Sequence, residues 1–140
     1  MEVTINFWAI LLCGVVSMVL GGLWYGPLFG KSWMREMGFD KMSPEALEAM
    51  KKKAMRTAYP QQFLGALLMA YVFAHVLFMF ETDTVTLGLQ GAFWMWLGFI
   101  VPVKYGEKLW GGKSCKLFGI DALYYLVLLA LFAVVLVKVV

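Results

Sequence analysis

The chain has 140 residues, of which 62% are hydrophobic and 15% are charged, and its mean hydropathy is +0.78. Soluble domains have about 45–50% apolar and about 25% charged residues, so a soluble enzyme of this length could not bury its apolar side chains. The net charge of +3 is modest, and we expect no nucleic-acid partner. The composition predicts one membrane domain, residues 1–140.

Four apolar stretches predict transmembrane helices. A hydrocarbon core of roughly 30 Å needs about 20 helical residues, and a spanning segment must be helical because lipid cannot satisfy its backbone groups. The first span has only Glu2 and no basic residue before it, so we expect a permanent span rather than a signal peptide. The expected class is an all-α integral membrane protein with four spans, at about residues 5–25, 60–80, 87–103 and 117–137.

Basic side chains are concentrated in the first and third of the three loops, which predicts the orientation of the chain. These two loops hold every Lys and Arg except Lys138, whereas the second loop holds Glu81 and Asp83 and no basic residue. We therefore expect the first and third loops to face the cytoplasm and both termini to lie outside. The expected location is the plasma (inner) membrane.

The first loop contains a predicted helix at about residues 44–57. Ser43 is a typical N-cap, Pro44 suits the first helical position, and Glu45 suits the positive end of the helix dipole. The basic face of this helix has two interpretations. It could bind anionic lipid headgroups, or it could be a solvated linker that satisfies the positive-inside rule. Its basic residues are Lys51, Lys52, Lys53 and Arg56.

Aromatic side chains cluster near the predicted membrane interfaces. Trp24 and Tyr25 lie at the inner end of the first span, while Trp33 and Trp110 lie in the inner loops. Tryptophan and tyrosine are enriched at headgroup depth, so we interpret these four residues as interfacial anchors.

One segment of the chain is distinctive. It reads WYGPLFG from Trp24 to Gly30 and is followed by Lys31-Ser32-Trp33. Together with Asn6, Pro102 and the segment at 117–122, it resembles the uncharacterised membrane family called domain of unknown function 1761. The resemblance covers essentially the whole chain, implies a membrane protein and supplies no activity.

Asp121 is the first candidate for chemistry, because an ionisable residue at membrane depth is a functional hypothesis by default. It lies about five residues into the fourth span, roughly 7 Å of helical rise, and Tyr124 and Tyr125 follow about one turn further on, on the same face. One interpretation is a cation or proton site open to the cytoplasm. The other is a structural acid near a helix N-terminus, paired with Lys104 or Arg56.

His75 is the second candidate and lies near the outer end of the second span. It shares a helix face with Gln61, but about four turns, or roughly 21 Å, separate them, so we expect His75 and Asp121 on opposite sides of the bilayer. A lone histidine could titrate near neutral pH, or it could hydrogen-bond between helices. Its expected neighbours are Asn6, Gln90 and Glu81.

Several kinds of site are not expected. Gly112-Lys113-Ser114 resembles the end of a phosphate-binding loop, but position 107 holds Glu107 where the first glycine belongs. No cysteine or histidine spacing indicates a metal, and no pattern indicates a cofactor or a nucleophile–base pair.

Three functions are compatible with these features, and we favour the first. It is a channel- or transporter-like subunit for an ion or small solute, in which polar residues form a candidate ion or proton site within the membrane. These residues are Asp121, His75, Asn6, Gln90, Gln61 and Tyr125. The alternative is a non-catalytic structural or partner-binding membrane protein. The third is a four-helix glutathione-dependent type of membrane enzyme, although we do not expect an enzyme. Stripes of small residues along the spans would also allow a homo-oligomer.

Overall fold

The structure is a computed structural model that describes residues 5–139; Glu2 lies outside them. Its four long helices are each long and apolar enough to cross a membrane, and no strand occurs among these residues. The predicted all-helical, four-span class is therefore confirmed. The long helices are α1 (Phe7–Leu28), α3 (Pro44–Met79), α4 (Val85–Gly111) and α5 (Cys115–Lys138), and the connection after α1 holds the short helix α2 (Gly30–Met37).

Each long helix begins at a polar side chain that caps it. Ser43 Oγ accepts a hydrogen bond from the Ala46 amide over 3.2 Å, which confirms the cap predicted from the sequence. The other three helices have the same arrangement, in which the cap satisfies an amide without an intrahelical partner. Their caps are Asn6, Thr84 and Ser114.

Proline explains where the long helices depart from regular α-helical geometry. Proline lacks an amide hydrogen and its ring clashes with the carbonyl four residues earlier, so a helix that contains one must widen or kink locally. Pro27 lies inside a π-turn at Trp24–Leu28, and Pro60 and Pro102 each follow a π-turn by two residues. Helix α5 contains no proline and is regular throughout.

Two helices extend well beyond the predicted spans. The loop helix predicted at 44–57 is continuous with the second span, because the π-turn at Ala54–Ala58 carries the chain into it without a break. The third span, expected to end near residue 103, continues as helix to Gly111. Pro102 lies near the start of a regular helical segment, where its missing amide hydrogen is tolerated, so it does not end the helix.

The bundle is centred on α1 and α5, which run antiparallel. Asn6 Nδ2 donates to the Val139 carbonyl over 2.7 Å at one end, and Trp24 meets Ile120 at the other. Helix α3 packs against α1, and α4 packs against α5. The core between them is apolar and includes Cys13, Ala70, Phe73, Leu128, Phe132 and Ala133.

Candidate functional site

The Asp121 carboxylate is held by a hydroxyl from another helix. The Tyr25 hydroxyl donates to Asp121 Oδ1 over 2.6 Å, a length typical of a hydrogen bond to a carboxylate. Asp121 is half-buried, and among residues 5–139 no basic side chain lies within 4.0 Å of it. The structural alternative of an ion pair with Lys104 or Arg56 is therefore not seen in this part of the chain.

Two tryptophans form hydrogen bonds to the backbone of α5 on either side of Asp121. The Trp24 indole N–H donates to the Ile120 carbonyl over 3.0 Å, and the Trp96 indole N–H donates to the Ala122 carbonyl over 2.6 Å. Each tryptophan is the first residue of a π-turn, one in α1 and one in α4. Residues 120–122 are thus joined to both neighbouring helices.

Tyr124 completes the group that we call the Asp121 cluster, consisting of Asp121, Tyr25, Trp24, Trp96 and Tyr124. Tyr124 is buried, its hydroxyl donates to the Ser17 carbonyl over 3.2 Å, and its ring centroid lies 5.4 Å from that of Tyr25. The cluster joins α1, α4 and α5 through side chains that are polar only at their tips, a composition suited to membrane depth.

The turn between α1 and α2 positions Tyr25. A Cβ atom on Gly30 would lie 2.8 Å from the Tyr25 carbonyl oxygen, which is backbone and cannot move aside. Glycine therefore permits the close return of the chain, and α2 then packs against α5. The WYGPLFG segment thus forms a π-turn and a tight junction that bring Tyr25 to Asp121.

The predicted anchors differ in their surroundings. Trp33 packs edge-on against Tyr25, with ring centroids 5.5 Å apart, and also against Phe39. Trp110 is 93% exposed at the end of α4. Trp24, Tyr25 and Trp33 thus make contacts within the protein, whereas Trp110 extends from it.

The Tyr125 ring lies beside the ammonium group of Lys104. The hydroxyl that reaches Asp121 Oδ1 is that of Tyr25. The Lys104 ammonium is 5.2 Å from the centre of the Tyr125 ring and 3.3 Å from Glu107 Oε2. Lys113 reaches the same carboxylate oxygen over 3.7 Å. Tyr125, Lys104 and Glu107 border a shallow recess of about 240 Å³ between α3, α4 and α5.

The remaining candidates are dispersed. His75 Nδ1 lies 2.9 Å from the Tyr71 carbonyl one turn earlier, and within residues 5–139 no hydrogen bond joins it to Asn6, Gln90 or Glu81. Asn6 caps α1 and contacts Val139. Gln61 and Gln90 are exposed. Across the described residues, no three His, Cys, Asp or Glu side chains are grouped to hold a metal.

Trp96 is the cluster residue for which the sequence predicts no role, whereas Tyr124 is predicted only to share the Asp121 face. A signal for Trp96 is present in the chain, because Trp24-Tyr25-Gly26 and Trp96-Leu97-Gly98 share the pattern Trp-x-Gly, each with a proline shortly after. The repeated triplet coincides with the two π-turns that face α5.

Four helices of membrane-crossing length, with a polar cluster near one end of the bundle, define a small multi-pass membrane protein. The chain belongs to the family described as Protein of unknown function (DUF1761), whose model matches residues 8–137. The family resemblance of the WYGPLFG segment is thereby confirmed. No curated protein and no solved structure matches the chain.

Proposed function

We propose that this protein is a small transport subunit that passes a proton or a monovalent cation through a site at Asp121. The observation that carries the proposal is the half-buried Asp121 carboxylate, which has a tyrosine hydroxyl as its partner and no basic side chain within 4.0 Å among residues 5–139. A carboxylate at membrane depth that is held only by dipoles can bind a cation or a proton in the place of a permanent counter-ion.

The proposed orientation puts this site on the cytoplasmic side of the membrane. It rests on the basic residues of the first and third loops, together with the acidic loop between α3 and α4. The exposed lysines Lys51, Lys52 and Lys53 and the exposed Arg56 would then face the anionic inner leaflet of the plasma membrane. His75, Asn6 and Gln90 would lie toward the outer side.

Flux measurements in proteoliposomes test the proposal. The wild-type protein is expected to carry H⁺, Na⁺ or K⁺ down an imposed gradient, and Asp121→Asn is expected to abolish that flux because it removes the only negative charge of the cluster. Asp83→Asn, an exposed carboxylate in the loop between α3 and α4, is the matched control and should retain it. Wild-type liposomes that pass none of the three ions would contradict the proposal.

A second candidate function, partner binding within the membrane, is favoured by the exposure of α4. Only 11% of the most apolar stretch of α4 is buried, against 44% in α5. A second copy of the chain would cover such a face. The test is the molar mass of the purified protein by light scattering: Trp94→Ala on the exposed face of α4 should shift an oligomer toward monomer, and Trp8→Ala, an exposed tryptophan on α1, should not.

A further inference from the structure

The recess beside Tyr125 arises from the way in which the helices pack. Helix α3 packs mainly on α1 and α4 mainly on α5, so α3 and α4 pack little on each other and Tyr125 of α5 lies at the recess between them. The volume of the recess is about 240 Å³, below the roughly 300–1,000 Å³ of pockets that enclose a whole small ligand. It therefore suits one segment of a longer molecule. Its lining is Met69, Ile100, Val103, Lys104, Glu107 and Tyr125.

Apolar and charged residues are separated along the recess. Ile100 and Val103 lie toward the middle of α4, whereas Lys104 and Glu107 lie toward its end. The seven helical steps from Ile100 to Glu107 correspond to about 10 Å. A molecule that fills the recess must therefore place a hydrocarbon segment beside Ile100 and a polar group beside Glu107, about 10 Å away.

The charged end of the recess carries a surplus of positive charge. Glu107 supplies one carboxylate, and both Lys104 and Lys113 reach its Oε2 atom, over 3.3 Å and 3.7 Å. The Lys104 side chain is only 21% exposed, and its ammonium lies 5.2 Å from the centre of the Tyr125 ring. One cation in excess at a partly desolvated site attracts an anion more strongly than a solvated lysine does.

We infer that this recess binds an anionic phospholipid of the surrounding bilayer, with part of an acyl chain against Met69, Ile100 and Val103 and the phosphate at Lys104 and Lys113. A second copy of the chain is a poorer occupant, because a packed helix needs a long apolar face and this recess is short and has a charged rim. A small soluble anion would not contact the apolar residues that line the recess. The site is distinct from the basic face of the loop helix.

Native mass spectrometry of the detergent-purified protein tests this inference without any flux measurement. Phosphatidylglycerol added to the micelles should be retained in preference to phosphatidylcholine, and Lys104→Gln should weaken that retention about five-fold, the factor expected for one lysine near an anionic headgroup. Val103→Trp, which fills the recess, should remove it. Lys138→Gln, an exposed lysine at the C-terminal end of α5, is the matched control and should leave it unchanged.

Each contrary outcome overturns the inference. Equal retention of the two lipids by the wild-type protein would show that no anionic site exists. Retention that survives both Lys104→Gln and Val103→Trp would place the lipid elsewhere. A change from oligomer to monomer in Val103→Trp with lipid retention unchanged would identify the recess as an interface between copies.

Discussion

The Tyr25 hydroxyl donates to Asp121 Oδ1 over 2.6 Å and thereby joins the C-terminal end of α1 to α5, 96 residues further along the chain. A hydrogen bond between transmembrane helices contributes about 1 kcal/mol. We expect Tyr25→Phe to lower the free energy of unfolding by about that amount, because the carboxylate loses its donor. Denaturation with sodium dodecyl sulfate in mixed micelles measures the change.

The control for this pair is a double-mutant cycle. Asp121→Ala combined with Tyr25→Phe should cost less than the sum of the two single changes, because both remove the same hydrogen bond. Strict additivity of the two changes would contradict a direct interaction between these side chains.

The tryptophans that flank Asp121 are expected to stabilise the bundle. Trp24→Phe and Trp96→Phe keep an aromatic ring but remove the indole N–H that donates to an α5 carbonyl. Each should lower the free energy of unfolding by about 0.5–1.5 kcal/mol, the net value of a typical hydrogen bond. Trp110→Phe, at a side chain that is 93% exposed, should have no measurable effect. Equal losses for all three variants would argue against the hydrogen bonds as the cause.

Gly30 is expected to be sensitive to the smallest possible substitution. A methyl group there would meet the Tyr25 carbonyl oxygen at 2.8 Å, and overpacking of this kind costs about 1–3 kcal/mol. Gly30→Ala should therefore lower the thermal midpoint of the purified protein. Gly26→Ala, in the same segment but with no atom within 4 Å of the added Cβ, is the matched control and should be tolerated. The opposite order of sensitivity would be inconsistent with the turn described.

Gly14 marks the contact between α1 and α3. A Cβ atom at this position would lie 2.7 Å from both Leu67 Cδ2 and Phe63 Cε2, so the two side chains would have to move apart. We expect Gly14→Ala to destabilise the bundle by about 1 kcal/mol, at the lower end of the range for overpacking because side-chain ends can yield. Gly22→Ala, on the same helix and free of contacts, should be neutral or slightly stabilising. Detergent denaturation of the two variants in parallel would expose any failure of this ranking.

The four spans could be predicted because each depends on a local property, a run of apolar residues long enough to cross the hydrocarbon core. The cap at Ser43 was equally local. The hydrogen-bond partners of Trp24 and Trp96 could not be predicted from the sequence. Their acceptors are main-chain carbonyls, which every residue possesses and no sequence pattern distinguishes. Which carbonyl is chosen depends on how α1 and α4 are rotated against α5.

The two candidate residues illustrate the same limit. Asp121 was identified by its depth, but its hydroxyl partner is 96 residues distant in the chain and could not be distinguished from Lys104 or Arg56 without the packing of the helices. The contact of His75 was accessible from sequence, because a side-chain nitrogen can reach the carbonyl one turn earlier in its own helix. For His75, partners on other helices were expected, although the carbonyl of Tyr71 in its own helix was available.

The central position of α5 has a consequence for biosynthesis. It is the last of the four long helices along the chain, yet α1 and α4 both pack on it, and Trp24, Tyr25 and Trp96 have their partners at residues 120–122. A nascent chain that has inserted only α1, α3 and α4 therefore lacks the partners of these side chains. Contacts between residues far apart in the chain form late, so the bundle should assemble only after the ribosome has released α5. A chain stopped before residue 115 should therefore be a substrate for membrane quality-control proteases.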